Sequence, residues 1–261
     1  MLIGSEGIEA QSGIQIKYIN PGSCATCTRK SSCQVNRLAL NFIENYEDWM
    51  IKRSTYNEGE EVLSSDGDHE GLYVVKSGVY ESYTMDSEGD FKVIGFHMPG
   101  DFFGIGKSNE NQYYHYVKAL ESGTVCKIGF SVFEEYSSNN YNLTMSLINL
   151  LGEIVSQNDK SIFLHSRMDA KRRFANFILD MSRRTGKAGF GKGSFKLYMS
   201  RSDIANYLGL STETISRLFT RFKERNILTV EYRLIHINDM KALYEIAHSN
   251  EEKEYLMAKD I

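Results

Sequence analysis

The sequence predicts an α+β chain: a small β-roll, one long helix, and a C-terminal domain of two short helices backed by a β-hairpin. Three observations predict it. Short strands separated by Gly and Asp turns run from about residue 60 to 133, a proline-free helical stretch runs from 140 to 165, and two capped helices joined through one glycine follow residue 200. The corresponding segments are 1–138, 139–168 and 169–261. A chain of 261 residues, 41% hydrophobic and 25% charged, has material for a full core and favours two domains over one.

The β part rests on "GLYVVKSGVYESYTM", "DSEGDFKVIGFHMPGD" and "YYHYVKALESGTVCKIGF", where β-branched and aromatic residues alternate with closely spaced turns. The helix after Asn140 carries Leu143, Leu147, Leu150, Leu151 and Ile154 at helical spacing, with Gln157 and Asn158 one turn further. Such a face suits pairing with a second copy of itself, with Asn158 fixing register, and it suits packing on its own β-domain equally well. A second helix, "MDAKRRFANFILDMSRRTGK", ends at a Gly-rich stretch, and "HSNEEKEYLMAKDI" reads as a frayed helical tail.

In "SRSDIANYLGLSTETISRLFTRF", Ser200 or Ser202 can cap a helix whose Ile204, Ala205 and Leu208 face inward, Gly209 supplies a tight turn, and Ser211 caps a second helix. That is the outline of a helix-turn-helix, and "NILTVEYRLIHI" behind it reads as a wing. On the second helix Ile215, Leu218, Phe219 and Phe222 share one side, and Glu213, Ser216, Arg217 and Thr220 share the other. Arg pairs with guanine O6 and N7, Glu accepts from cytosine N4, and Ser bonds either way, so Glu213, Ser216 and Arg217 suit base edges. Ser200, Arg201, Thr212 and Arg233 suit phosphates, which position without specifying.

Charge agrees with this reading. Residues 167–233 hold 15 Lys plus Arg against 6 Asp plus Glu, a balance of +9, while the whole chain is at −4 and the remainder therefore at −13. The basic segment suits a polyanion and the acidic remainder keeps off it. No run of about 18 apolar residues occurs and the first residues lack a secretory pattern, so a cytoplasmic protein without membrane association is expected.

Three of the four cysteines, Cys24, Cys27 and Cys33, fall within ten residues, and Cys126 lies in a strand-like stretch. In a reducing compartment such a group points to metal or redox chemistry rather than disulfides. Spacing alone divides evenly between zinc and an iron-sulfur cluster, and Cys126 taken singly reads as a small core residue.

At this point the chain resembles the CRP/FNR superfamily of bacterial transcription regulators, and its FNR branch closely, over nearly all its length. "DIANYLGLSTETISRL" resembles the family's helix-turn-helix signature, with its E-x-x-S-R core on Glu213, Ser216 and Arg217, and "GFHMPGDFFG" is similar to a loop of its sensory, cyclic-nucleotide-binding-like β-roll. The resemblance implies a homodimer joined through the long helix, bound to double-stranded DNA at a palindrome of the TTGAT-N4-ATCAA kind and acting on RNA polymerase, with Gly89 and Asp90 in "SEGDFK" matching a polymerase-contacting turn. FNR-type oxygen sensors carry C-x2-C-x5-C plus one β-roll cysteine; Cys24, Cys27, Cys33 and Cys126 match, which implies a 4Fe-4S cluster, oxidisable to 2Fe-2S or lost, that responds to oxygen or also to nitric oxide. The match favours iron over zinc or plain thiol redox chemistry. FNR-type chains place an acid where this one has Gln157. Such an acid is repelled by its symmetry mate, so the neutral residue predicts more dimer in the cluster-free protein than in relatives.

Two rival functions are weaker. A cyclic-nucleotide-responsive regulator of the CRP branch binds the nucleotide phosphate with an Arg-Ser pair, whereas "GDFFGIGKSNENQYYHYVKALES" has no Arg and Lys107 lacks the bidentate fork. An iron-sulfur or thiol oxidoreductase needs a second redox site or a nucleotide-binding Gly motif; no G-x-G-x-x-G follows a strand, and no enzyme is expected.

Overall fold

The computed structural model describes residues 27, 33, 52–64, 71–104, 114–137, 140–186 and 193–248. The elements are β1 (Lys52–Tyr56), β2 (Glu61–Leu63), β3 (Gly71–Met85), β4 (Phe91–His97), β5 (Phe102–Phe103), β6 (Tyr114–Gly129), α1 (Phe130–Ser137), α2 (Tyr141–Arg167), α3 (Ala170–Gly186), β7 (Ser194–Lys196), α4 (Arg201–Leu208), α5 (Thr212–Glu224), β8 (Leu228–Glu231), β9 (Leu234–Ile237) and α6 (Met240–His248). The predicted tail from Ser249 onward lies outside the described residues, but the helix before it, α6, is well formed.

The β-roll hangs not on short strands alone, as the turn-like residues suggest, but on two long antiparallel strands, β3 and β6, that run through their Gly positions by register slips, in a sheet ordered β1-β6-β3-β4, with β2 added to β6 and β5 to β3. Register slips between Ser77 and Val79, where the two backbones touch. A Cβ on Gly123 would lie 2.1 Å from the Ser77 carbonyl oxygen, and Gly78, at φ +85°, would meet the Glu121 carbonyl at 2.8 Å, so both positions require glycine. The bulge bends the strands and lets the sheet roll.

Strand alternation sends Tyr73, Val75 and Tyr80 into the roll with Leu63, Phe103, Val117, Ala119 and Val125. Leu72 and Val74 point the other way and meet Ile128 and Phe133, with Cys33, Cys126 and Leu147 packed on them. β3 is therefore buried on both faces, which is why its sequence runs apolar without alternating.

The largest core belongs to the C-terminal half and includes Phe174, Ile178, Phe195, Ile204, Ile215, Phe219, Phe222, Ile235 and Leu243. It extends without a break to Val79, Val93, Phe96 and Met98 of the β-roll, with Phe96 packed on Phe177 and Tyr207 at ring distances of 6.2 and 5.1 Å. An ion pair joins the same surfaces: Arg184 of α3 donates to Asp101 at 2.5 Å and to the Phe96 carbonyl. Among the described residues no helix is long and apolar enough to cross a membrane.

Candidate functional site

Local chemistry builds the helix-turn-helix. Ser200 caps α4 in a full capping box: its Oγ accepts from the Asp203 amide at 3.1 Å and the Asp203 carboxylate accepts from the Ser200 amide at 2.8 Å. Gly209 ends the helix at φ 63°, a left-handed cap, with the Leu210 amide reaching back to the Ala205 carbonyl. Ser211 then caps α5 by accepting from the Thr214 amide at 3.1 Å.

Ile215, Leu218, Phe219 and Phe222 bury one face of α5. Glu213, Ser216, Arg217 and Thr220 are exposed on the other, and the basic Arg221 and Lys223 close its last turn. Arg217 donates to Glu213 at 2.6 Å one turn away, and both side chains are about 70% exposed (69% and 72%). The pair is thus aligned on the open face at little cost, because exposed ion pairs contribute roughly 0 to 1 kcal/mol.

The four phosphate candidates divide. Ser200 and Thr212 are exposed at the two helix starts, and Arg233 is exposed at the wing tip beside Tyr232, which is fully exposed at φ 56°. Arg201 instead lies over the Phe219 ring, its Cζ 3.0 Å from the centroid, and burial pushes its pKa down to about 10. An arginine at the start of α4 is drawn inward because the aromatic face of α5 is the nearer partner. Its Nη1 is buried without a hydrogen bond.

Gly89 and Asp90 sit in an exposed turn between β3 and β4. The Asp86 carboxylate accepts from the Glu88 and Asp90 amides at 2.9 and 3.0 Å, and Gly89 takes φ 89°. The turn is pre-shaped by its own first residue.

Of the cysteines, Cys24 lies outside the described residues. Cys27, Cys33 and Cys126 are each half-buried, and Cys33 and Cys126 pack against one apolar cluster together with Leu147 of α2. Cys126 stands in mid-strand, opposite Arg53 of β1 and Val74 of β3. Among the described residues no three metal-ligating side chains converge.

The long helix divides its apolar residues between two faces. Leu143 and Leu150 are buried within the chain, at 0% and 7% exposure, and Leu147 packs on the cysteine-bearing cluster of the β-roll. Tyr141, Met145, Ile148, Leu151, Val155 and Ile162 are exposed. Tyr141, Met145, Ile148, Val155 and Ile162 fall on one line of alternating four- and three-residue steps, with Gly152 and Asp159 in the intervening places. Of the remaining positions singled out from sequence, Ile154 is half-buried, Asn158 is exposed, and Gln157 is in α2 with its side chain outside the described residues. The exposed line was present in the sequence as a second heptad set, overshadowed by the leucines.

Known proteins agree with this architecture. A cyclic nucleotide-binding domain model matches residues 53–140, and a Crp-like helix-turn-helix domain model matches residues 172–246. The anaerobic regulatory protein of Haemophilus influenzae is 33% identical over 250 residues, covering 94% of this chain and 95% of the relative. The fumarate and nitrate reduction regulatory protein of Escherichia coli K12 is 31% identical over 238 residues, covering 89% and 94%. The structure of FixK2 from Bradyrhizobium japonicum superposes with a TM-score of 0.67 at 26% identity, covering 76% of this chain and 97% of that one. The β-roll, the long helix, the capped helix-turn-helix with its wing and these full-length similarities together establish that this chain belongs to the CRP/FNR family of DNA-binding transcription regulators, which are not enzymes, among its anaerobic and fumarate-and-nitrate-reduction members.

Proposed function

We propose that the protein is a cytoplasmic, homodimeric regulator that reads a TTGAT-N4-ATCAA-like palindrome through Glu213, Ser216 and Arg217, acts on RNA polymerase through the turn at Gly89 and Asp90, and senses oxygen through a 4Fe-4S cluster held by Cys24, Cys27, Cys33 and Cys126. The observation that carries the sensing part is the shared packing of Cys33 and Cys126 with Leu147 of α2. Two thiols from distant parts of the chain stand on one apolar wall, which suits a cluster: the ligands are soft, and the surroundings limit solvent access. When bound, the group supplies an oxygen-labile link between the N-terminal cysteine segment and the β-roll. The chain's own part is to transmit that link. Holding the cysteine segment on the wall loads Leu147, and Leu147 loads the helix whose outer line faces a second copy. Such a switch works only if the loaded form favours the dimer by a definite free-energy difference.

The test is anaerobic purification followed by visible absorption, iron and sulfide analysis and binding to the palindrome as air is admitted. The expected result is a broad iron-sulfur band that bleaches while affinity falls, with Cys33→Ser and Cys126→Ser each abolishing the band. A colourless protein that binds the same DNA with or without air would reject the sensing role and retain the DNA-reading one.

A further inference from the structure

Strand β4 lies at the edge of its sheet, with β3 on one side and, among the described residues, no strand on the other. The outward N–H and C=O groups of an edge strand need partners, and here a helix of the other domain supplies them. Asn206 of α4 accepts from the Val93 amide through Oδ1 at 2.7 Å and donates to the Phe91 carbonyl through Nδ2 at 2.9 Å. Bonding the carbonyl of one residue and the amide two residues later is what a residue of a parallel strand does to its neighbour, so this side chain acts as a one-residue strand.

The contact is reciprocal. Lys92, between those two residues, sends its Nζ to the carbonyls of Asn206 and Tyr207, the latter at 3.2 Å, at the negative end of α4, where a cation is favoured. Arg173 donates to the next carbonyl, that of Leu208, at 2.7 Å. Gly209, the pivot of the helix-turn-helix, follows immediately, and α5 packs on α4 through one core. Whatever holds α4 therefore holds the DNA-reading helix.

We propose that Asn206 is a positioning residue that sets the angle of the DNA-reading motif against the sensory sheet and thereby determines which half-site spacing the dimer accepts. The proposal rests on the palindrome reading above. Its physical basis is the difference between two kinds of contact. The apolar surface around Phe96 and Tyr207 is adhesive but non-directional and tolerates sliding. The paired hydrogen bonds of Asn206 are directional and act on α4 itself, whereas Arg184 ties α3, so losing them loosens α4 on the sheet without losing adhesion. One added base pair turns a half-site by about 34° and moves it about 3.4 Å along the axis, a change a rigidly held motif cannot follow and a loosened one can.

The experiment compares the full-length protein and Asn206→Ala on palindromes with four- and five-base-pair spacers, with amide exchange at Val93 as a structural readout. The wild type is expected to prefer the four-base-pair spacer by about tenfold or more, and the variant by about threefold or less, with its base preferences within a half-site intact. Val93 exchange should accelerate in the variant, because Asn206 is the acceptor of that amide. A variant that keeps the wild-type spacer ratio overturns the proposal, whatever its absolute affinity. A wild type that ignores the palindrome, or is indifferent to its spacing, overturns the palindrome reading and this proposal together. Should Asn206→Ala fail to fold, Asn206→Asp, which keeps an acceptor for the Val93 amide but loses the donor to the Phe91 carbonyl, carries the same spacer comparison with the same two outcomes.

Discussion

Arg217 and Glu213 meet each other in the absence of DNA, and each offers what the other would otherwise seek from a base. Because the pair is exposed, breaking it costs little, which leaves Arg217 available for the base contact proposed for it. Arg217→Ala is expected to cost about 1 to 3 kcal/mol of discrimination at one base pair of each half-site while leaving other positions unaffected. Arg233→Ala, at the wing tip, is expected to weaken binding to all sequences alike and to reduce the salt slope by about one. Titrations on single-base variants of the palindrome at several salt concentrations separate the two roles. Arg201 belongs with neither: stacked on Phe219, it ties α4 to α5, and its phosphate role is open only to whatever part of the guanidinium clears the ring.

On α2 the division of apolar residues between two faces decides which substitutions affect assembly. Leu143→Ala, at a side chain buried within the chain, is expected to cost about 2 to 5 kcal/mol of stability without changing the dimer fraction of folded protein. Ile148→Asp or Val155→Asp, on the exposed line, should do the reverse: near wild-type stability, with the sedimentation profile moved to monomer. The neutral Gln157 points to a weak electrostatic brake on pairing, but Asp159 occupies a place on the exposed line where it would face its symmetry mate. Asp159→Ala is therefore expected to raise the dimer fraction of the cluster-free protein. An unchanged fraction would move the seam to another face of the helix.

At the scale of the molecule, the β-roll and the C-terminal half share a core. Val93, Phe96 and Met98 of the β-roll belong to the same apolar cluster as Phe177 and Ile204, and Arg184 crosses to Asp101. His97 lies in this junction, its Nε2 2.9 Å from Ser82 Oγ, and burial lowers its pKa to about 4, so it stays neutral at physiological pH and leaves the Arg184–Asp101 pair undisturbed. A shared apolar interface of this kind couples the two domains. A single calorimetric transition is expected, and Phe96→Ala should lower it as a whole by about 3 to 5 kcal/mol rather than split it. Two separable transitions would show that the halves are coupled only through α2.

Much of this was legible before any coordinates. The caps at Ser200 and Ser211, the left-handed Gly209 and the division of α5 into an exposed and a buried face all follow from interactions between residues a few positions apart, which sequence spacing encodes directly. Tertiary structure alone decided which stripe of α2 is spent on the β-roll, that Arg201 turns inward onto Phe219, and that Asn206 completes the edge of β4. Each of those outcomes depends on which surface a residue meets across a long stretch of chain or across a helix pair, and a polar residue in the last turn of a short helix looks the same whether it faces water or the edge of a sheet.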